Sequence, residues 1–193
     1  AMKSRATVGN VLTFLAFLSW GLLPIYWKLV SDVPALEILM HRLVWAAPLI
    51  VLAAVLYRKY RPDVVTPITR RGIALSAAQA FVISLNWGIY TYAVVNEQLV
   101  AASLGYYINP LLSVLLGVVF LRERLTRLQA IAVGIAAVGV LIQAIPLGGL
   151  PWISLGLAAS FGIYGLLKKE NPTDGVTTLA FEMSMLFPIA LAV

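Results

Sequence analysis

The chain has 193 residues, of which 61% are hydrophobic and only 11% are charged, and its mean hydropathy is +0.93. A soluble domain is about half apolar and about a quarter charged, so this composition excludes one and predicts a protein embedded in a bilayer. The chain has no cysteine and one histidine. This excludes disulfides, thiolate ligands and cysteine nucleophiles, and we expect neither a metal site nor a cofactor.

Long runs without charge predict the transmembrane helices, because about 20 mostly apolar residues span a bilayer. The runs are residues 6–27, 43–57, 72–96, 98–121 and 128–167. The first is long enough to be a retained helix rather than a cleaved signal peptide. The second reaches spanning length only if its helix extends back towards Glu37 through His41 and Arg42.

The last run holds two spans, which are separated by a Pro/Gly turn at residues 146–151. A seventh span begins near Gly175. The sequence therefore predicts an all-α membrane protein with six to seven transmembrane helices.

Lysine and arginine are distributed unevenly between the two sides of this predicted topology. All but two of the 14 basic residues fall in the N-terminal segment and in alternate loops, and the exceptions are Lys28 and Arg42. Short loops rich in Lys and Arg lie in the cytoplasm, so the N-terminus is predicted to be cytoplasmic. This distribution also accounts for the net charge of +6 without any nucleic-acid partner.

A short internal similarity relates helix one to helix six. Laying residues 19–21 (Ser-Trp-Gly) over residues 160–162 (Ser-Phe-Gly) places His41 over Glu182. Because the two helices are predicted to run in opposite directions, this match would define an inverted-topology repeat, which many secondary transporters have. A three-residue match also arises by chance, so both interpretations stay open.

Three ionisable residues lie within predicted spans: His41, Arg42 and Glu182. A charge inside a bilayer is unfavourable by roughly 3 kcal/mol, so such residues usually face a cavity or a partner. Arg42 is predicted to pair with a substrate anion, or to snorkel to the interface from about 10 Å inside its helix. His41 or Glu182 is predicted to be a protonatable switch, although His41 could instead pair with Glu37 or form a neutral hydrogen bond between helices.

Polar stripes mark two further helices. Helix three carries Asn86 and Tyr90 with Trp87 between them, and helix four carries Tyr106 and Asn109. Such stripes either line a substrate pathway or hold helices together. Trp20, deep in helix one, is a candidate for a cavity wall.

The motifs of the common enzyme classes are missing. The chain has no Gly-Lys-Ser/Thr phosphate loop, no pair of histidines at helical spacing and no serine elbow. We therefore expect neither an ATP-driven pump nor an enzyme, and no catalytic residue is assigned.

Several longer segments resemble the RarD family of the EamA group, in the drug/metabolite transporter superfamily. They are residues 19–22 (SWGL), 35–39 (ALEIL) with His41, Arg42 and Trp45, residues 86–87 with Tyr90, residues 102–111 (ASLGYYINPL), 121–125 (LRERL) and 150–152 (LPW). The resemblance implies ten helices in two inverted five-helix repeats around a central cavity, in a bacterial inner membrane. Residues 1–145 would form the first repeat, and residues 146–193 would begin a second repeat that is truncated at the C-terminus.

The resemblance also implies a function, namely transport of small organic metabolites or drugs by alternating access. The expected partners are a small-molecule substrate, the lipid bilayer and protons as the candidate coupling ion. The predicted pathway residues are Trp20, His41, Arg42, Asn86, Tyr90, Tyr106, Asn109 and Glu182. A scaffold subunit without transport activity is the main alternative, and an enzyme acting on lipid-linked substrates is a second one.

Overall fold

The computed structural model describes residues 2–30, 32–64, 66–67, 69–120, 122–145 and 151–192, and the side chains within these ranges except those of residues 2–6, 27 and 64. These residues form seven α-helices and one 3₁₀ turn. The helices are α1 (Met2–Leu29), α2 (Ala35–Tyr60), α3 (Arg70–Val95), α4 (Leu99–Phe120), α5 (Arg127–Ala144), α6 (Trp152–Glu170) and α7 (Gly175–Leu191). The predicted all-helical fold class is confirmed, and α2 does extend back through His41 and Arg42. The predicted turn before α6 falls mostly at residues 146–150, which lie outside the described residues.

Within the described residues, five helices are long and apolar enough to cross a membrane. They are α2 to α5 and, in α1, Thr7–Tyr26. The helix α7 is apolar but shorter, and α6 ends in Lys168, Lys169 and Glu170. The chain is thus a multi-pass membrane protein.

Three helices begin with a polar residue that caps the first turn. The side chain of Thr69 accepts a hydrogen bond from the backbone of Gly72 at the start of α3, and Asp174 does the same for Thr177 in α7. Thr126 forms a reciprocal capping box at the start of α5. Such side chains satisfy backbone donors that a first helical turn leaves without partners, so the sequence fixes where these helices begin.

The helix α3 lies at the centre of the bundle and packs against α2, α4, α6 and α7. The most extensive contact joins α4 to α6, and it depends on Gly105. A Cβ atom at this position would lie 2.9 Å from the Cβ of Leu157 and 3.0 Å from the backbone oxygen of Ser154. Glycine is therefore what allows the two backbones to approach closely, as small residues do in membrane bundles.

Two apolar clusters fill the bundle. One joins α2, α3 and α7 around Leu43, Ala80 and Met183, and the other joins α3, α4 and α6 around Ala93, Ala102 and Leu157. By contrast, the described side chains of α1 and α5 include none that is buried. The first and fifth helices therefore lie at the periphery of this bundle.

Polar contacts join the loops at one end of the bundle, which we call the basic end. Arg58 Nη1 donates to Thr177 Oγ1 at 3.2 Å, and the amide of Asp174 donates to Thr66 Oγ1 at 2.7 Å. Burial opposes ionisation of Asp174, but hydrogen bonds from Thr177 and Thr66 outweigh burial and lower the pKa of this carboxyl group. The α2–α3 and α6–α7 loops are thereby fastened to each other.

Ion pairs extend the basic end to a third loop. Arg71 pairs with Glu170 at 3.2 Å, and Lys169 pairs with Glu123 in the α4–α5 loop. These pairs are largely exposed, and such pairs contribute at most about 1 kcal/mol each. They are informative about topology instead, because they join alternate loops at one side of the bundle, where the predicted spans require those loops to lie.

Candidate substrate site and charged cluster

Three predicted pathway residues meet with Trp87 in one group, which we call the arginine–aromatic cluster. The three are Arg42, Tyr90 and Tyr106. The Arg42 guanidinium carbon lies 4.6 Å from the centroid of the Trp87 ring. The Tyr90 and Tyr106 rings meet edge to face, with centroids 6.0 Å apart. Trp87 and Tyr90 are three residues apart on α3, which places the two pairs of contacts side by side. The cluster therefore draws one cation and three aromatic rings from α2, α3 and α4.

The local sequence explains part of the arginine–aromatic cluster. Trp87 and Tyr90 are three residues apart on α3, so they share a helix face. Arg42 lies in the second turn of α2, where its long stem can bring the charge over the indole ring. A guanidinium group presents a planar fork of donors that matches a carboxylate, and the rings offer apolar faces beside it. The arrangement is suited to a small organic anion.

A second group lies between α6 and α7, and we call it the glutamate cluster: Glu182, Tyr164 and Lys168. Glu182 is completely buried. The Tyr164 hydroxyl donates to Glu182 Oε2 at 3.1 Å, and Lys168 Nζ donates to the Tyr164 hydroxyl at 3.0 Å. Lys168 Nζ also lies 3.4 Å from Glu182 Oε1, and its side chain is 33% exposed. The buried carboxylate thus has a cation and a hydroxyl donor.

Sequence reasoning missed Tyr164 and Lys168 as partners of Glu182. The predicted span stopped before Lys168 because a hydropathy run ends at its first charge, whereas α6 continues to Glu170. Once Lys168 is placed on the helix, it lies one turn after Tyr164 on the same face. That spacing is the signal that could have found the pair.

Asn86 is buried and joins α3 to α6. Its side-chain nitrogen donates to the backbone oxygen of Leu157 at 3.0 Å and to Ser160 Oγ at 2.9 Å. Both contacts are between helices, so Asn86 acts here in helix packing, which is one of the two roles that its polar stripe predicted.

The other predicted pathway residues, Trp20, His41 and Asn109, join neither cluster through a described contact. Trp20 is 57% exposed, and its ring contacts Phe17 of the same helix, with centroids 6.2 Å apart. His41 is exposed, and the ion pairs of the described residues do not include one between His41 and Glu37. Asn109 accepts a hydrogen bond from Ser113, one turn further along α4, at 3.4 Å.

Two shallow cavities of about 330 and 250 Å³ lie near the C-terminal half of α2, close to the basic end, and Arg58 lines both. Neither is lined by a member of the arginine–aromatic cluster. Within the described residues, no group of three His, Cys, Asp or Glu side chains is placed to hold a metal ion. In the arginine–aromatic cluster, Tyr106 is exposed and the other three side chains are partly buried, so the cluster reaches the surface of this seven-helix bundle.

Comparison with known proteins places the chain among transporters. Residues 7–145 match the EamA-like transporter family. The chain is 45% identical over 186 residues to the "Uncharacterized transporter YojE" of Bacillus subtilis, an alignment that covers 95% of this chain and 62% of that protein. It is 46% identical over 192 residues to "Protein RarD" of Streptomyces exfoliatus, covering 98% of this chain and 60% of that protein.

"Protein RarD" of Escherichia coli is 40% identical over 182 residues, covering 94% of this chain and 62% of that protein. The chain thus spans about three fifths of the length of these relatives. No solved structure matches it. Since the family match covers well over half of its residues, the chain belongs to the EamA-like transporter family.

Proposed function

We propose that the complete protein is a secondary transporter of small organic metabolites or drugs in a bacterial inner membrane. Its family and the names of its relatives support transport. The basic end supports a cytoplasmic N-terminus, because alternate loops rich in Lys and Arg gather there. The family match supports transport rather than an enzymatic role.

The observation that carries this proposal is the arginine–aromatic cluster. Removing a cation from water is unfavourable, so an arginine inside a membrane span usually serves a pathway or a partner. Arg42 lies over the Trp87 ring, and the paired Tyr90 and Tyr106 rings belong to the same partly exposed cluster. An anion with an apolar body would find both a charge and an apolar surface there. We assign substrate contact to this cluster.

We further propose that the protein works by alternating access between inverted repeats. Residues 1–145 would form the first five-helix repeat, and residues 146–193 would begin the second. The opposite directions of α1 and α6 support this division. In this structure α6 packs against α3 and α4. The repeat would then place α1 of the complete protein against the second-repeat counterparts of those helices, with Trp20 at that contact.

Protons are the proposed coupling ion, and Glu182 is the proposed protonatable switch. Glu182 is the one completely buried carboxylate among the described residues. A buried carboxyl group that alternates between a charged and a neutral form can couple proton movement to a conformational change. His41 is the second candidate, at the position that the repeat relates to Glu182.

The test is transport by the full-length protein in proteoliposomes. Uptake and efflux of labelled amino acids, purines and chloramphenicol would be measured with and without an imposed pH gradient. We expect at least one compound to move, movement to respond to the gradient, and Arg42→Gln to abolish most of it. The matched control is Arg124→Gln, which removes an exposed charge from the α4–α5 loop.

Absence of movement for every compound, from correctly folded protein, would contradict the proposal and favour the scaffold alternative. The polar groups within the helices would then serve only to hold helices together, as Asn86 does. Equal losses in Arg42→Gln and Arg124→Gln would remove the assignment of substrate contact to the arginine–aromatic cluster.

A further inference from the structure

The glutamate cluster spans the distance between the basic end and the interior of the bundle. Glu182 lies seven residues after the start of α7, or about 10 Å along the helix axis. Lys168 belongs to the last turn of α6, and a third of its side chain is exposed. One side chain therefore contacts both the solvent at the basic end and a carboxylate that solvent does not contact.

Burial makes the charge of Glu182 depend on its partners. An isolated carboxylate in an apolar environment is so unfavourable that the group binds a proton instead. Here Lys168 supplies the opposite charge and Tyr164 a hydroxyl donor, at 3.4 and 3.1 Å. These two contacts are what allow the ionised form to exist at this position.

The helices packed against α7 offer no substitute for Lys168. Those helices are α2 and α3. On α2, Arg58 bonds to Thr177, which lies more than one turn before Glu182. On α3, Arg71 pairs with Glu170. Among the described residues, Lys168 and Tyr164 are the titratable groups that interact with Glu182. The charge of Glu182 therefore depends on contacts with α6.

We infer that Lys168 sets the charge state of Glu182, so that withdrawal of the Lys168 ammonium group towards the basic end and proton binding by Glu182 occur together. In the paired state the carboxylate is ionised, because Lys168 and Tyr164 both donate to its oxygens. When Lys168 leaves, a proton from the solvent at the basic end forms an O–H bond on one carboxylate oxygen. The neutral carboxyl group keeps this proton and donates a hydrogen bond to the Tyr164 oxygen.

This inference deepens the proposed function and rests on it for its biological meaning. It makes Lys168 a positioning residue, since it acts through Glu182 and not on the substrate. It also gives the proton a side of entry, namely the basic end, which the lysine and arginine distribution predicts to be cytoplasmic. A change in the position of α6 relative to α7, which would separate Lys168 from Glu182, would then be the conformational step that is linked to proton binding.

The test is pH-difference infrared spectroscopy on the full-length protein in lipid, where a protonated carboxyl group is recognised by its C=O stretch. At neutral pH, the wild type should show no C=O band from protonated Glu182, so its spectrum in this region should match that of Glu182→Gln. Lys168→Met should show such a band, and the double variant with Glu182→Gln should lose it. The matched control is Lys169→Met, whose lysine pairs with the exposed Glu123, and it should resemble the wild type.

Two results would overturn the inference: a C=O band of Glu182 already present in the wild type at neutral pH, or no such band in folded Lys168→Met. If Lys168→Met does not fold, Lys168→Arg keeps the charge and should keep Glu182 ionised at neutral pH. A Glu182 band in that variant at neutral pH would also contradict the inference. Because the measurement needs no substrate, its failure is distinguishable from failure of the transport assay.

Discussion

The helices α1 and α6 share a Ser-aromatic-Gly segment, at residues 19–21 and 160–162, but this segment lies in different environments in the two helices. Ser160 lies at the contact of α6 with α3 and accepts a hydrogen bond from Asn86, whereas Ser19 in α1 donates only to the backbone of Leu15 in its own helix. A Cβ atom on Gly162 would lie 3.2 Å from Leu116, whereas a Cβ atom on Gly21 would meet nothing within 4 Å.

The difference teaches that a Ser-aromatic-Gly segment does not by itself determine packing. Packing arises because α3 and α4 supply Asn86 and two leucines to the matching face of α6. By contrast, α1 contacts α3, but none of its described side chains is buried. Under the repeat proposal, the missing partners of α1 belong to the second repeat of the complete protein.

The largest effect is expected from alanine at Gly105, the closest approach of α4 to α6. The added methyl group would contact the backbone of Ser154, which cannot rotate away, so we expect a loss of about 2 kcal/mol in stability. Gly162→Ala meets only flexible leucine side chains and should lower stability by about 1 kcal/mol. Gly21→Ala should be neutral or slightly stabilising in this chain, since alanine favours a helix over glycine.

Thermal unfolding of the three variants in detergent micelles would measure this order. Equal destabilisation by Gly21→Ala and Gly162→Ala in this 193-residue chain would contradict the contrast between the two helices. Measuring Gly21→Ala and Gly162→Ala in the full-length protein makes the contrast between the two helices sharper. There the repeat proposal expects Gly21→Ala to become as destabilising as Gly162→Ala, because α1 would then be covered.

A smaller effect is expected from the hydrogen bonds that hold α6. Asn86→Ala removes two contacts to α6 and should lower stability by about 1 kcal/mol, within the range of such bonds in membrane proteins. Ser160→Ala should lower it by about 0.6 kcal/mol, and its counterpart Ser19→Ala should leave it unchanged. Unfolding by a denaturing detergent would resolve these differences. A loss for Ser19→Ala as large as that for Ser160→Ala would show that α1 is packed.

Much of the fold could be predicted from the sequence because a bilayer demands long apolar helices. The seven helices follow the predicted runs, and α2 extends through His41 and Arg42 as its length required. The end of α6 could not be predicted in this way. A lysine stem is apolar enough to continue a span while its charge reaches solvent or a partner, and a hydropathy run does not register this.

The candidate site was predictable residue by residue but not as a group. Arg42, Tyr90 and Tyr106 each stood out as polar groups within spans, yet only the crossing of α2, α3 and α4 brings them together. Nothing in the local sequence distinguishes Tyr106, which joins the arginine–aromatic cluster, from Asn109, which bonds within α4. The face that a helix presents is decided by its neighbours, which are distant in sequence.

The central claim is that Arg42 and the rings around it bind the substrate, and Trp87 provides a direct probe because its ring lies beneath the guanidinium group. The measurement is titration of the full-length protein with aromatic carboxylates, beginning with benzoate, while tryptophan fluorescence is recorded. We predict a saturable change in emission that Trp87→Phe removes, with affinity reduced roughly tenfold or more by Arg42→Gln, which corresponds to about 1.4 kcal/mol. A saturable change that persists in Trp87→Phe, with the same affinity in Arg42→Gln, would contradict the claim.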